Sequence, residues 1–127
     1  MRLALVFAAC LALATPARAQ TACGGDMPCA TASGSYRIAL PEGEGPFPVV
    51  MFLHGYGGSA QGTIRGGTAR SALARGYAFI APEGLVRPSR NRTSWNFHPD
   101  FPGPRNEADF LQEVMADATA RFGIDPA

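Results

Sequence analysis

Seven apolar residues in a row, Phe47-Pro48-Val49-Val50-Met51-Phe52-Leu53, run directly into a loop that holds six glycines between His54 and Gly67. A strand that does not alternate is buried on both faces, and in soluble proteins that is the mark of a central parallel strand. Pro48 is tolerated at the start of such a strand but not in its middle. Tyr77-Ala78-Phe79-Ile80-Ala81 repeats the pattern and is closed by Pro82-Glu83-Gly84. Between the two, Thr68 to Arg75 has helical spacing, with Ala69, Ala72 and Leu73 on one side and Gly76 as the stop. Strand, helix and strand in this order predict a parallel crossover. The expected fold class is therefore α/β, a mostly parallel sheet with flanking helices.

The remaining segments fit around that unit. Ser35 to Leu40 alternates, with Tyr36, Ile38 and Leu40 on one side and Arg37 on the other, which predicts a half-buried strand. Pro41 to Pro46 is a turn of Pro, Gly and Glu. Leu85 to Arg105 reads as one long loop carrying four prolines and the aromatics Trp95, Phe97 and Phe101. A loop of that length in a small domain is usually functional. Asn106 then caps a helix whose apolar stripe is Phe110, Leu111, Val114, Met115, Ala118 and Phe122, and Gly123 stops it. Ile124-Asp125-Pro126-Ala127 reads as a turn.

The N-terminus sets the compartment. Arg2, the apolar run from Leu3 to Ala14 and the small residues of Ala17-Arg18-Ala19 have the layout of a secretory signal. The run is about 12 residues, against the roughly 20 needed to span a bilayer, so residues 1–19 are expected to leave and Gln20 to become the first residue. Cys10, inside the run, lies too early for a lipid-anchor cleavage site. Removing Arg2 and Arg18 takes the formal net charge from +1 to −1, which leaves no electrostatic footprint for nucleic acid. Arg87, Arg90 and Arg92 cluster in the long loop without a Gly-rich turn beside them, as a solvated loop does. Cys23 and Cys29 remain, in a Gly/Pro-rich stretch. In an oxidising compartment two such thiols are expected to pair. A metal site is the alternative, although zinc usually takes four ligands, and the only histidines are the distant His54 and His98. The organisation is thus a signal over 1–19, a disulfide-tied lead-in over 20–34, and one domain over 35–127, extracellular or periplasmic, with no membrane association after cleavage.

The chemistry points to Leu53-His54-Gly55-Tyr56-Gly57-Gly58. Ligands of open parallel sheets bind at strand C-termini, and glycines there let backbone N–H groups turn toward a bound atom. An acyl-transfer reaction needs such donors because the substrate carbonyl oxygen becomes an oxyanion, and one well-aimed donor lowers the barrier by about 3–4 kcal/mol.

With these residues in order, the chain resembles the secreted α/β-hydrolases of the polyhydroxybutyrate depolymerase and feruloyl esterase type. The matching positions are Cys23 with Cys29, Gly34-Ser35-Tyr36-Arg37 with Leu40-Pro41, Leu53 to Gly58, Arg75-Gly76-Tyr77, Ala81-Pro82-Glu83-Gly84, Ser94-Trp95 and Arg121 to Pro126. The resemblance implies an ester hydrolase with a Ser, Asp and His triad, an acyl-enzyme mechanism and no cofactor. It implies that the Tyr56 backbone N–H is an oxyanion-hole donor within the loop His54, Gly55, Gly57 and Gly58. Trp95 falls near the substrate cleft or on a lid packed against the core, His54 shapes the turn, and His98 lies on the surface. The nucleophile of this fold sits in Gly-x-Ser-x-Gly. None of the six serines here has glycine two residues away on both sides. The chain is accordingly expected to be an N-terminal part of such a fold, incomplete, with none of the triad and no turnover by itself. Polyester, feruloyl sugar and smaller esters all remain open as substrates, and the oligomeric state is open as well.

Two other classes compete. Gly55-Tyr56-Gly57-Gly58-Ser59-Ala60 fits the dinucleotide fingerprint, with Glu83 as ribose partner, but Gly62, Gly66 and Gly67 break the helix that should follow. The missing triad also fits a non-catalytic, hydrolase-like protein.

Overall fold

The computed structural model describes residues 22–100 and 103–126. The signal over 1–19, Gln20, Cys10 and Phe101 lie outside the described residues. Strand β1 (Cys29–Ala30) turns back through residues 31–34 into β2 (Ser35–Ala39), and the turn is closed by Thr31 N–H donating to Gly34 O at 2.8 Å. Strand β3 (Phe47–Met51) is followed by two short helices, α1 (Ala60–Ile64) and α2 (Gly67–Ala74), and then by β4 (Ala78–Pro82). A hairpin of β5 (Leu85–Arg87) and β6 (Arg92–Ser94) precedes the long helix α3 (Glu107–Arg121) and the two-residue strand β7 (Ile124–Asp125).

The five-stranded sheet has the order β1-β2-β4-β3-β7, and β5-β6 form a separate two-stranded ribbon. Pairs β1/β2 and β2/β4 are antiparallel; β3/β4 and β3/β7 are parallel. The expectation of an α/β-hydrolase-type sheet, mostly parallel with flanking helices, is corrected by this arrangement: the sheet is mixed, half of its pairings are antiparallel, and two of the three helices among the described residues are short. The predicted crossover does form, from β3 through α1 and α2 to β4. The antiparallel half comes from the residues read as an irregular lead-in. Cys29 is the partner of Tyr36 and Ala30 of Ser35, so the segment next to the disulfide joins the sheet as an edge strand.

Burial is also distributed differently. Strand β4 is buried at all five positions, because β2 and β3 cover both of its edges. Strand β3 is only partly buried, and Phe52 beyond it is 42% exposed. Its second neighbour, β7, pairs only with Phe47 and Pro48, so among the described residues Val49 to Met51 have a partner on the β4 side alone. Alternation along β4 splits the core. Ala78 and Ile80 join Tyr36, Ile38, Phe110, Val114 and Ala118 in one cluster; Phe79 and Ala81 join Ala60 and Ala69 in another. Helix α3 therefore packs one cluster, and α1 with α2 the other.

The helix signals held. Asn106 is the N-cap of α3, its Oδ1 accepting from Ala108 and Asp109 N–H, and the buried stripe Phe110, Val114, Ala118 keeps the helical period. The Tyr36 hydroxyl donates to Asp117 on α3 at 2.7 Å, and burial followed by that hydrogen bond pushes its ionisation well above the ordinary phenol range. Cys23 and Cys29 are disulfide-bonded, which removes the two thiols from the metal alternative. Among the described residues no helix is long and apolar enough to cross a membrane.

Candidate functional site

The loop from Phe52 to Ser59 leaves the C-terminal end of β3. Phe52 N–H still donates to Ile80 O at 2.9 Å, which carries the chain one residue past the strand before it turns. Gly55 to Gly58 then form a β-turn closed by Gly58 N–H donating to Gly55 O at 2.9 Å. Gly57 has φ +73°, while Tyr56 is not among the residues with positive φ. That pattern is a type II turn with Tyr56 at the first corner and Gly57 at the second, where glycine removes the left-handed penalty. Gly58 is needed for a different reason: a Cβ there would lie 3.0 Å from Gly55 O and 3.1 Å from the His54 Cβ.

The amides of the turn are not equivalent. Gly57 N–H donates to Thr93 O on β6 at 2.9 Å, and Gly58 N–H closes the turn. The Thr93 hydroxyl returns the contact by donating to Gly58 O. Tyr56 N–H has no hydrogen-bond partner among the described residues, and the Tyr56 residue is 61% exposed. One backbone donor, on a largely exposed residue, thus has no partner among the described residues, while the neighbouring amides of the turn are held internally.

His54 lies beneath the turn and is 5% exposed. Its Nδ1–H donates to Gly55 O at 2.8 Å, the proton being assigned from a carbonyl that can only accept. On the other side of the ring, Gly84 N–H donates to Nε2 at 3.0 Å, and Glu83 Oε1 stands 3.2 Å from the same nitrogen. Glu83 Oε2 accepts from Ala60 N–H, the first residue of α1, at 3.0 Å. Gly84, just after β4, thereby holds the imidazole from the side opposite Gly55. Gly84 is fixed by this packing, since a Cβ would sit 3.0 Å from His54 Cε1 and from Ser94 O.

Trp95 follows β6 and its indole N–H donates to His54 O at 2.9 Å, with ring centroids 5.2 Å apart. It is partly buried against the core cluster that contains Phe110 and Val114, and Phe97 stacks on it at 6.3 Å. These contacts favour the packed-loop role for Trp95 over direct display in an open cleft. Behind it, Arg105 and Glu107 form an almost fully buried pair at 2.7 Å. Arg105 also donates to Ser33 O and Glu83 O, and Glu107 accepts from Asn96 N–H. The long loop is therefore pinned at both ends. His98 is exposed and stands 3.7 Å from Asp100.

The structure thus brings His54, Gly55, Tyr56, Gly57, Gly58 and Trp95 together, and leaves Cys23 and Cys29 as a remote fastening of the N-terminal hairpin. Sequence reasoning missed Thr93 and the β5–β6 hairpin that carries it, because three-residue strands within a proline-rich stretch leave no readable period. The competing dinucleotide reading made Glu83 a ribose partner. Here that carboxylate faces His54 and α1, and α1 is one short turn capped by the Ser59 hydroxyl, so the geometry of the dinucleotide reading is not met. Comparisons with known proteins give no matching family model, no matching curated protein and no matching solved structure.

Proposed function

We propose that this chain belongs to a secreted carboxylic ester hydrolase of the polyhydroxybutyrate depolymerase and feruloyl esterase type, in which the turn from Gly55 to Gly58 supplies an oxyanion donor. The observation that carries the reading is the Tyr56 N–H, without a partner among the described residues at the first corner of a type II turn, on a residue that is largely exposed, while the amides of Gly57 and Gly58 are held internally. A hydrogen-bond donor of fixed direction suits an oxygen that gains negative charge in the transition state and needs no reorganisation when it does. The ordered motifs shared with that enzyme type, from Cys23 to Pro126, support the same reading, and the disulfide is compatible with export.

In this proposal the substrate is an ester whose carbonyl oxygen accepts from Tyr56 N–H. A serine elsewhere in the protein attacks the carbonyl carbon, the alcohol leaves, and water then releases the acid from the acyl-enzyme. The serine, acid and base are not assigned to any of these 127 residues, since no Gly-x-Ser-x-Gly occurs among them. Turnover is therefore measured on the protein as the cell exports it. It should hydrolyse short-chain aryl esters and lose that activity on covalent labelling by a serine-directed phosphonate. An exported, folded protein with no ester turnover and no phosphonate adduct would leave the non-catalytic alternative in its place.

A further inference from the structure

The proposed reaction gives His54 no contact with substrate, yet its imidazole is the most elaborately held side chain of the site. We infer that His54 is a positioning residue that aims and polarises the Tyr56 amide through a single peptide group, and this rests on the oxyanion reading above. Gly55 C=O and Tyr56 N–H are the two ends of one peptide bond. That unit is planar and trans, so fixing the direction of the carbonyl fixes the direction of the N–H. Gly55 O accepts twice: from Gly58 N–H at 2.9 Å across the turn and from His54 Nδ1–H at 2.8 Å from below. Each hydrogen bond accepted by a carbonyl draws electron density along the C–N bond and makes the N–H of the same peptide a stronger donor, by about 10–30% per bond. The second of these bonds exists only because of the His54 side chain.

The rest of the clamp serves that single bond. Gly84 N–H donates to Nε2 from the opposite side at 3.0 Å, so the ring cannot rotate without losing that bond as well. Glu83 Oε1 stands 3.2 Å from Nε2, but with the proton on Nδ1 both atoms are acceptors, and this buried oxygen has no hydrogen-bond partner among the described residues. The other oxygen of that carboxylate is fixed to the start of α1. Trp95 holds the His54 carbonyl. A histidine that merely filled space would need none of these polar contacts.

The test uses three substitutions at one position and two readouts. His54→Leu keeps the bulk and removes both nitrogens. His54→Asn keeps an N–H donor at the δ position, where Nδ1 stands. His54→Gln places its amide one atom farther out and keeps no donor there. In the full exported protein, His54→Leu and His54→Gln should lower kcat roughly 10-fold, a fraction of the loss for a whole oxyanion donor, with KM within about 2-fold. His54→Asn should restore kcat to within a few-fold of the original. The second readout needs no turnover. In amide NMR spectra the Tyr56 proton should move upfield in the Leu and Gln variants and stay near its original position in the Asn variant. The Gly58 proton, which closes the turn, should stay in place in all three.

The inference is overturned if a folded Leu or Gln variant leaves the Tyr56 amide unmoved, or if Asn behaves like Leu in both readouts. It is equally overturned if the Gly58 amide shifts along with Tyr56, because His54 would then only hold the turn together. Should the Leu variant not fold, the contrast between Asn and Gln still decides. A protein without ester turnover whose Tyr56 amide nonetheless follows the His54 donor would sink the ester-hydrolase reading and leave the polarised amide as a site for some other anion.

Discussion

Gly55 and Gly57 flank Tyr56 in a glycine-rich string, and the backbone separates them completely. Gly57 has φ +73°, whereas a Cβ on Gly55 would meet nothing within 4 Å. Gly57→Ala should therefore cost about 1–2 kcal/mol, the left-handed penalty of an L-residue, and Gly55→Ala should fall within about 0.5 kcal/mol of neutral. Urea unfolding of the two variants side by side checks this, and equal losses would show that the turn is not type II. At this scale the sequence was informative about which residues gather and not about what each does. His54, Tyr56, Gly57 and Gly58 were recognisable as one loop. The hold of Gly84 on the imidazole was not, because it joins positions 30 residues apart through a hydrogen bond that no local pattern encodes.

Elements with a strong helical period were legible, and those shorter than one period were not. Helix α3 has its cap, stripe and stop where the residues put them, and α2 begins one residue before the expected Thr68. Helix α1 was hidden by the glycines at 58 and 62, and β5 and β6 by their length of three residues. What holds the long segment between β4 and α3 is the Arg105–Glu107 pair, with side chains 7% and 0% exposed. Breaking a buried pair leaves one charge without its partner and costs about 3–5 kcal/mol, whereas replacing both with apolar residues of similar size is often neutral. Glu107→Ala should accordingly destabilise by about that much, and Arg105→Met with Glu107→Leu should recover most of the loss. The single tryptophan reports the same event, since Arg105 lies 5.9 Å from the Trp95 ring centre and Glu107 accepts from Asn96 N–H. Trp95 emission should shift to longer wavelength in Glu107→Ala under native conditions. Unchanged stability in urea together with unchanged emission would show that the pair does not secure this segment.

For the whole molecule, a buried strand, a helical stretch and a second buried strand were enough to predict the β3-to-β4 crossover, and not enough to predict the sheet. Periodicity reports which face of a strand is buried; it carries no information about the direction of the strand alongside. The pairing of β2 with β4 is antiparallel, and the disulfide-tied lead-in adds β1 to it, so the sheet is mixed where a mostly parallel one was expected. The continuous apolar run that looked most central, β3, gives that place to β4.

The functional proposal rests on one backbone donor, and the turn type offers a clean way to remove it. Tyr56 occupies the first corner of a type II turn, a position that proline favours, and the preceding residue is a glycine that tolerates the pre-proline restriction. Tyr56→Pro therefore deletes the N–H while keeping the backbone path, and Tyr56→Phe deletes the phenol while keeping the N–H. The decisive measurement is kcat for aryl-ester hydrolysis by these two variants of the protein as the cell makes it, with urea unfolding as the check on folding. The account predicts that Tyr56→Phe stays within a few-fold of the original and that Tyr56→Pro falls by about 10²–10³, the usual loss for one oxyanion donor. A folded Tyr56→Pro protein that keeps its turnover while Tyr56→Phe loses it would contradict the account and move the role of Tyr56 from its amide to its ring.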